Sequence, residues 1–472
     1  MSPPGTSAAP SAPASPGASA PPGVAREAFG SSLGAFAATV GSAVGLGNIW
    51  KFPYLTGSNG GAAFVLTYLL AVALVALPVM AVEHVIGRRM RLDAVRAYAR
   101  VVPGRPGWAA IGWAGLAASV LIMAFYTDVA GWVFAYVLEA ATSAATGRPL
   151  GPETFAALSG GTWRPLAWQA GVLALTTAIV AAGVSRGIER VTKALMPLLL
   201  VLLVVCDVRA LTLPGSSAGI AYLFRPDPSK LTGGVLLAAL GLAFFKLSLG
   251  MGTMTTYGSY LPPATRIVPN AARVALADTL VSLLAGLAIF PAVFAFGGTP
   301  AGGPGLLFAT IPLVFARMPL GGAFTALFFV LASIATIGAM VSLMEVPVAW
   351  LVEKGRASRR AAALATGAAM LALGILATLS RSPLLSDVKP FGQSFFDLFD
   401  FLSSNVLLPV GGLAIAVVGG WLLPPGAFVA EADRGYGRAT WHGRAVHALV
   451  RFVAPALILL ILLNSLGLIR LA

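Results

Sequence analysis

Charge is what this chain has least of. Only 10% of its 472 residues are Asp, Glu, Lys or Arg, and 58% are hydrophobic; soluble domains carry about 25% charged residues. A soluble fold is excluded, and the length suffices for roughly a dozen membrane spans of about 20 residues each. Cysteine is nearly absent. Cys206 stands alone in an apolar run, so no disulfide framework exists. Histidine is scarce too: His84, His442 and His447 lie at span ends or in loops. No Ser/His/Asp or metal-ligand spacing involves them, so neither an enzyme nor a metal site is expected. Acidic residues number 17 against 31 basic ones, a formal charge of +14. The basic excess sits in short loops between apolar runs, which is a topology signal rather than a nucleic-acid surface.

What is present is a series of eleven apolar runs, an all-α polytopic membrane protein. They cover about 28–56, 61–90, 108–141, 165–183, 188–211, 231–261, 268–297, 320–353, 359–379, 394–422 and 445–470. Residues 1–25 are mostly Pro, Ala, Ser and Gly. Such a segment cannot bury a core and is expected to be a disordered tail. It has no basic stretch ahead of an apolar core, so it is not a signal peptide. Arg88, Arg89, Arg91, Arg96, Arg100 and Arg105 occupy the second loop. Arg186, Arg190 and Lys193, then Lys354, Arg356, Arg359 and Arg360, then Arg434, Arg438 and Arg444 occupy the fourth, eighth and tenth loops. That side is expected to be cytoplasmic, with the N-terminus inside, in a bacterial-type inner membrane. The loop at about 298–319 is apolar enough to fold back into the opposite mouth.

Two runs are interrupted. The first holds Gly41, Gly45 and Gly47, then Asn48 and Pro53. The sixth holds Phe244-Phe-Lys-Leu-Ser-Leu-Gly-Met-Gly-Thr253. Glycine weakens a helix by roughly 1 kcal/mol relative to alanine. Unwound backbone at membrane depth survives only where it lines a cavity or is buried in protein. Paired interruptions five spans apart point to a transporter site at the bilayer midplane.

With these stretches the chain closely resembles the neurotransmitter:sodium symporter family. The matching segments are GSAVGLGNIWKFPYLTGSNGGAAF (41–64), PVMAVEHVIGRR (78–89), FYTDVAGW (125–132), SRGIERVTKALMP (185–197), FFKLSLGMGTMTTYGSY (244–260) and FDLFDFLSSN (396–405). The resemblance implies the LeuT fold, a 5+5 inverted repeat with broken helices 1 and 6. Repeat one would span about 28–211, repeat two about 231–422, and an extra helix about 445–470, within a transporter domain of 26–472. It implies alternating access and a small substrate moved with Na⁺. A substrate carboxylate would lie near the Gly47 amide and the Tyr126 hydroxyl, with Ser42 and Ala43 beside it. Gly45 stands where amine transporters of the family carry an aspartate, which argues for an amino acid. Leu46, Ile122, Phe245, Ser248, Met251, Ala339 and Leu343 would line the side-chain pocket, so a neutral, hydrophobic side chain is expected. Lys51 with Asp400, and Arg26 with Glu353, match the family's outer and inner gate pairs.

The departures concern ions. The first sodium site keeps Ala43 and Asn48, but its Thr is Lys246 and its Asn is Asp278. An ammonium has three donors and no acceptor. It cannot ligate sodium, but it can stand in sodium's place if paired. Lys246 is therefore expected to be a tethered cation held by Asp278 and facing the substrate carboxylate. The second sodium site keeps the carbonyls of Gly41, Val44 and Ala335, while its two hydroxyl ligands align with Gly338 and Ala339; Thr336 serves only if the register is shifted. Ser282 and Leu242 occupy the chloride region, and Asp278 disfavours an anion there. Asp128 is a further acid inside a span, either a proton carrier or the partner of a neighbouring span. Glu83 is expected to be structural. No cofactor is implied, and sodium is in question because both of its sites are altered. Sodium-coupled, proton-coupled and uncoupled transport all stay open, with weak or absent sodium dependence favoured. A non-transporting sensor would need a signalling domain that this sequence does not contain. The expected partners are an amino acid and the lipid bilayer, without nucleic acid.

Overall fold

The computed structural model describes residues 27–148, 150–300, 306–355 and 357–469. The expected tail and the gate residue Arg26 lie outside them. Thirteen helical stretches carry the architecture: α1 (Ser32–Ala43), α2 (Gly47–Ser58), α3 (Ala62–Met90), α4 (Pro106–Thr146), α5 (Trp163–Ala181), α6 (Val184–Leu211), α7 (Gly233–Lys246), α8 (Thr253–Tyr260), α9 (Ile267–Ala295), α10 (Gly321–Glu353), α11 (Arg359–Leu379), α12 (Phe395–Leu422) and α13 (Trp441–Ser465). No strand occurs among the described residues. Eight helices are long and apolar enough to cross a membrane, and the bent pair α1/α2 makes a ninth. The two remaining expected runs are α5, of 19 residues, and the interrupted pair α7/α8.

The first interruption is shorter than its glycines suggest. α1 continues through Gly41 to Ala43, and α2 begins at Gly47 with its axis turned by 48°. Gly41 stays helical because it serves packing. Its carbonyl lies directly against Gly338 of α10, so closely that any side chain at 338 would collide with it. The second interruption spans residues 247–252. Ser248, Gly250 and Gly252 take left-handed backbone there, at φ 54°, 76° and 76°. Ser248 is the costly one, since non-glycine residues in such regions carry strain of about 1–3 kcal/mol. Its hydroxyl donates to the Ser42 carbonyl at 2.9 Å, which holds the conformation.

The freed backbone is satisfied by side chains from neighbouring helices. The buried Glu83 carboxylate of α3 accepts from the Gly250 N–H at 2.9 Å and the Thr255 N–H at 3.2 Å. It also accepts the Thr255 hydroxyl at 3.0 Å. Glu83 therefore ties the unwound segment of the second break to the start of α8. α4, the longest helix, packs most extensively against α10 and forms the wall opposite both breaks.

The two ends of the bundle differ. At the end carrying the basic loops, ion pairs tie the chain together. Arg359 bonds Glu345 at 2.5 Å and Glu27 at 3.0 Å. Tyr260 donates to Glu345 at 2.7 Å, and Phe29 packs edge-on to Tyr257 and Tyr260. At the other end a vestibule of about 210 Å³ opens, lined by aromatic and charged residues. The described part of the loop expected to fold into the mouth includes Phe308 on its wall, with Tyr136 donating to the Phe308 carbonyl at 3.1 Å.

The Gly41–Gly338 contact yields a prediction. Gly338→Val should drive the two helices apart and destabilise the fold by about 1–3 kcal/mol, the cost of overpacking. Thermal unfolding in detergent measures this, and an unchanged midpoint would mean that the helices do not meet there.

Candidate functional site

Between the two breaks lies a cavity of about 20 Å³, lined by Ser42, Ala43, Gly45, Gly47, Ile122, Tyr126, Phe245, Lys246, Ser248, Met251, Ala339 and Leu343. Of the twelve residues expected to form the substrate site, eleven are in this lining. The twelfth, Leu46, lines the vestibule immediately above. Gly47, Tyr126 and Phe245 border both spaces, so they form the partition between them. A space of this size holds about one water, so a ligand larger than water must push the walls apart.

The polar groups around this cavity are few and directed. The Leu46 N–H donates to the Tyr126 hydroxyl oxygen at 3.0 Å. Helix α2 starts at Gly47, and the first N–H groups of a helix lack partners of their own and carry its positive dipole end. Ser42 donates to Ser342 at 2.9 Å, which fastens α1 to α10. A side chain at Gly45 would approach the Tyr126 hydroxyl to 2.9 Å and Ala339 to 3.0 Å. The absence of one there keeps the cavity open.

Lys246 closes α7 and is buried, its side chain fully so, as is that of Asp278 on α9. Its Nζ lies 3.0 Å from Asp278 Oδ2. It donates to the Tyr68 hydroxyl at 2.8 Å and to Ser282 Oγ. Tyr68 in turn donates a hydrogen bond to Asp278 Oδ2 at 3.0 Å, and Ser282 donates to the Asp278 carbonyl at 3.0 Å. Asn48 joins through Nδ2, which donates to Asp278 Oδ1 at 2.7 Å, to its carbonyl at 2.9 Å and to Ser282 at 3.0 Å. The Asn48 Oδ1 accepts from the Gly45 N–H at 3.1 Å. The rings of Tyr68 and Phe52 lie 4.5 and 5.1 Å from the amine.

The expected orientation of Lys246 needs correction. Its three N–H groups have three acceptors in Asp278, Tyr68 and Ser282, which leaves none to face a substrate carboxylate. The sequence reading paired it with Asp278 alone and so left two donors over. Tyr68 was missed because no motif flanks it; the available signal was a phenol in the middle of an apolar run.

Comparison with known proteins adds the lineage. A profile of the sodium:neurotransmitter symporter family matches residues 26–146 and 161–470. The chain belongs to that family. A sodium-dependent transporter of Bacillus subtilis, YhdH, uncharacterised, is 38% identical over 441 residues, 93% of this chain and 97% of that one. An uncharacterised sodium-dependent transporter of Haemophilus influenzae is 32% identical, covering 93% and 98%. The crystal structure of MhsT in complex with L-phenylalanine is 43% identical with a TM-score of 0.85, covering 93% of this chain and 100% of that one. Symporters of this family are secondary transporters, not enzymes, and the LeuT fold is the fold of this chain.

The symporter family's other expected positions are placed as follows. Asn48 and Asp278 meet as described, while Gly338 is the α10 residue that abuts the Gly41 carbonyl. The Thr336 hydroxyl donates to the Ser333 carbonyl of its own helix at 2.7 Å. Lys51 and Asp400 both line the vestibule without an ion pair between them, Lys51 lying 4.2 Å from the Phe245 ring. Glu353 bonds Arg96 at 2.5 Å and the Asp93 N–H at 2.9 Å. The Glu345–Arg359–Glu27 cluster was not anticipated. Glu345, an acid inside a span, was the signal, since such residues are functional candidates by default. Asp128 lies beside Thr378, Trp132 and Arg381 without a well-formed hydrogen bond to any of them.

The buried pair predicts its own signature. Lys246→Ala or Asp278→Asn alone should destabilise the protein by about 3–5 kcal/mol, because each leaves one charge buried and unpaired. The double variant Lys246→Thr/Asp278→Asn should recover most of that loss. Unfolding midpoints of the three variants check it, and additive losses would refute the pairing.

Proposed function

We propose that this protein is a secondary transporter that takes up a neutral, hydrophobic amino acid by alternating access. In this reading the Lys246–Asp278 pair replaces the first sodium ion. The observation that carries it is the arrangement of one small cavity between two helix breaks, under an open vestibule and above a latched basic end. Tyr126 and the start of α2 at Gly47 suit a carboxylate. Leu46, Ile122, Phe245, Met251, Ala339 and Leu343 suit an apolar side chain, and the phenylalanine named in the MhsT structure agrees with that choice. The basic loops favour a cytoplasmic latched end and an outward-facing vestibule. Lys51 and Asp400 would then pair as the vestibule closes over substrate. A contact formed in one state shifts the population toward that state.

Coupling follows from the ion sites. The Lys246 amine is already bonded and cannot dissociate, so the first site supplies no transported cation. The second site keeps only the Gly41, Val44 and Ala335 carbonyls, with Gly338 and Ala339 offering no side-chain oxygen. Transport is accordingly sodium-independent or weakly sodium-dependent. A second reading, ordinary sodium coupling through those carbonyls, is favoured by the relatives named as sodium-dependent.

Uptake of labelled L-phenylalanine into proteoliposomes, under separately imposed Na⁺ and H⁺ gradients, tests both. Uptake should be competed by other apolar amino acids and change little with sodium. Lys246→Thr/Asp278→Asn should gain sodium stimulation. Strong sodium stimulation of the unaltered protein would select the second reading, and no uptake of any amino acid under any gradient would overturn the transporter assignment. Tyr126→Phe should weaken substrate binding by about 1–3 kcal/mol, the worth of a hydrogen bond to a charged group. Equilibrium binding measures that loss, and unchanged affinity would remove Tyr126 from the carboxylate.

A further inference from the structure

On the basic end of the bundle, the first turns of α4 run beside the middle of α12. They leave a groove of about 560 Å³ between them. Trp108, Ile111 and Ala114 of α4 form one wall, and Val410 and Ala414 of α12 the other, with Arg105 at the mouth. Arg105 is the only charged residue in that lining. Trp108 is half-buried, while Arg105 and Val410 are exposed. The groove therefore faces outward from the bundle, not into the substrate path.

Arg105 differs from several other arginines at this end. Arg88 is held by Glu431, Arg96 by Asp93 and Glu353, and Arg359 by Glu345 and Glu27. The Arg105 side chain carries no hydrogen bond or ion pair among the described residues. A free guanidinium, a tryptophan at the same level and an apolar trough beyond them form a graded surface. Tryptophan marks the level of lipid headgroups, and basic pockets between spans on the cytoplasmic side take acidic headgroups.

We propose that this groove binds an anionic phospholipid, with its phosphate on Arg105 and an acyl chain along the trough between α4 and α12. The charge selects the headgroup. A zwitterionic lipid brings an ammonium that the guanidinium repels, whereas phosphatidylglycerol brings a net negative charge. The site also has a mechanical position. Gly411, on the same stretch of α12, packs against the Gly250 carbonyl, to which a side chain at 411 would come within 2.8 Å. A chain in the groove thus lies behind the helix that supports the second break.

The test is native mass spectrometry of the delipidated full-length protein, incubated with phosphatidylglycerol or with phosphatidylethanolamine. The unaltered protein should retain phosphatidylglycerol in preference to phosphatidylethanolamine. Arg105→Gln should cut phosphatidylglycerol retention by about fivefold, the effect of one arginine at an acidic surface. Ala114→Phe, which fills the trough, should reduce retention of both lipids. Arg89→Gln, an exposed arginine outside the groove, should change nothing, and unchanged unfolding midpoints should confirm that the variants are folded. Equal retention of the two lipids by the unaltered protein would overturn the proposal. So would full retention by Arg105→Gln, or an equal loss in Arg89→Gln.

Discussion

Backbone that leaves its helix inside a membrane has no water to turn to, and this structure is arranged around that constraint. Two helices open at matching places, and several of the freed groups meet side chains. Tyr126 of α4 takes the Leu46 N–H, and Asn48 takes the Gly45 N–H. Glu83 of α3 takes one N–H group within the second break and one in the helix that follows it. Ser248 returns a bond to the Ser42 carbonyl and so links one break to the other. The cavity exists because these partners hold the breaks apart without filling the space between them.

The same constraint governs the charges. An unpaired ammonium at this depth would be prohibitively costly, yet Lys246 is fully enclosed. It is tolerated because every donor has an acceptor and because those acceptors are themselves oriented by further bonds from Tyr68, Ser282 and Asn48. Buried polar networks are stable when complete and unstable when partly satisfied. That completeness makes the cluster a rigid joint between α2, α3, α7 and α9. It also explains why the amine is not offered to the cavity.

Much of this architecture was legible in the residues. The apolar runs marked the helices, and the glycines with their neighbouring polar residues marked both breaks. Eleven of the twelve anticipated site residues line one cavity. What escaped notice has physical causes. Gly41 looked like part of the first break, but a glycine spacing is the same whether the backbone unwinds or another helix presses close; only the approach of Gly338 distinguishes them. Tyr68 and Glu345 carry no local pattern, because their partners lie 178 and 14 residues away along the chain. Lys246 was paired correctly by residue type, but its direction depends on where three acceptors converge in space.

The Lys246 amine has one more consequence, and it concerns work. A dissolved cation carries energy across a membrane because it arrives from a concentrated side and departs to a dilute one. An amine bonded to its own polypeptide has no such chemical potential to give up. In the proposed transport cycle such an amine would stand in a cation's place and add nothing to the concentration ratio, which any mobile ion would support alone.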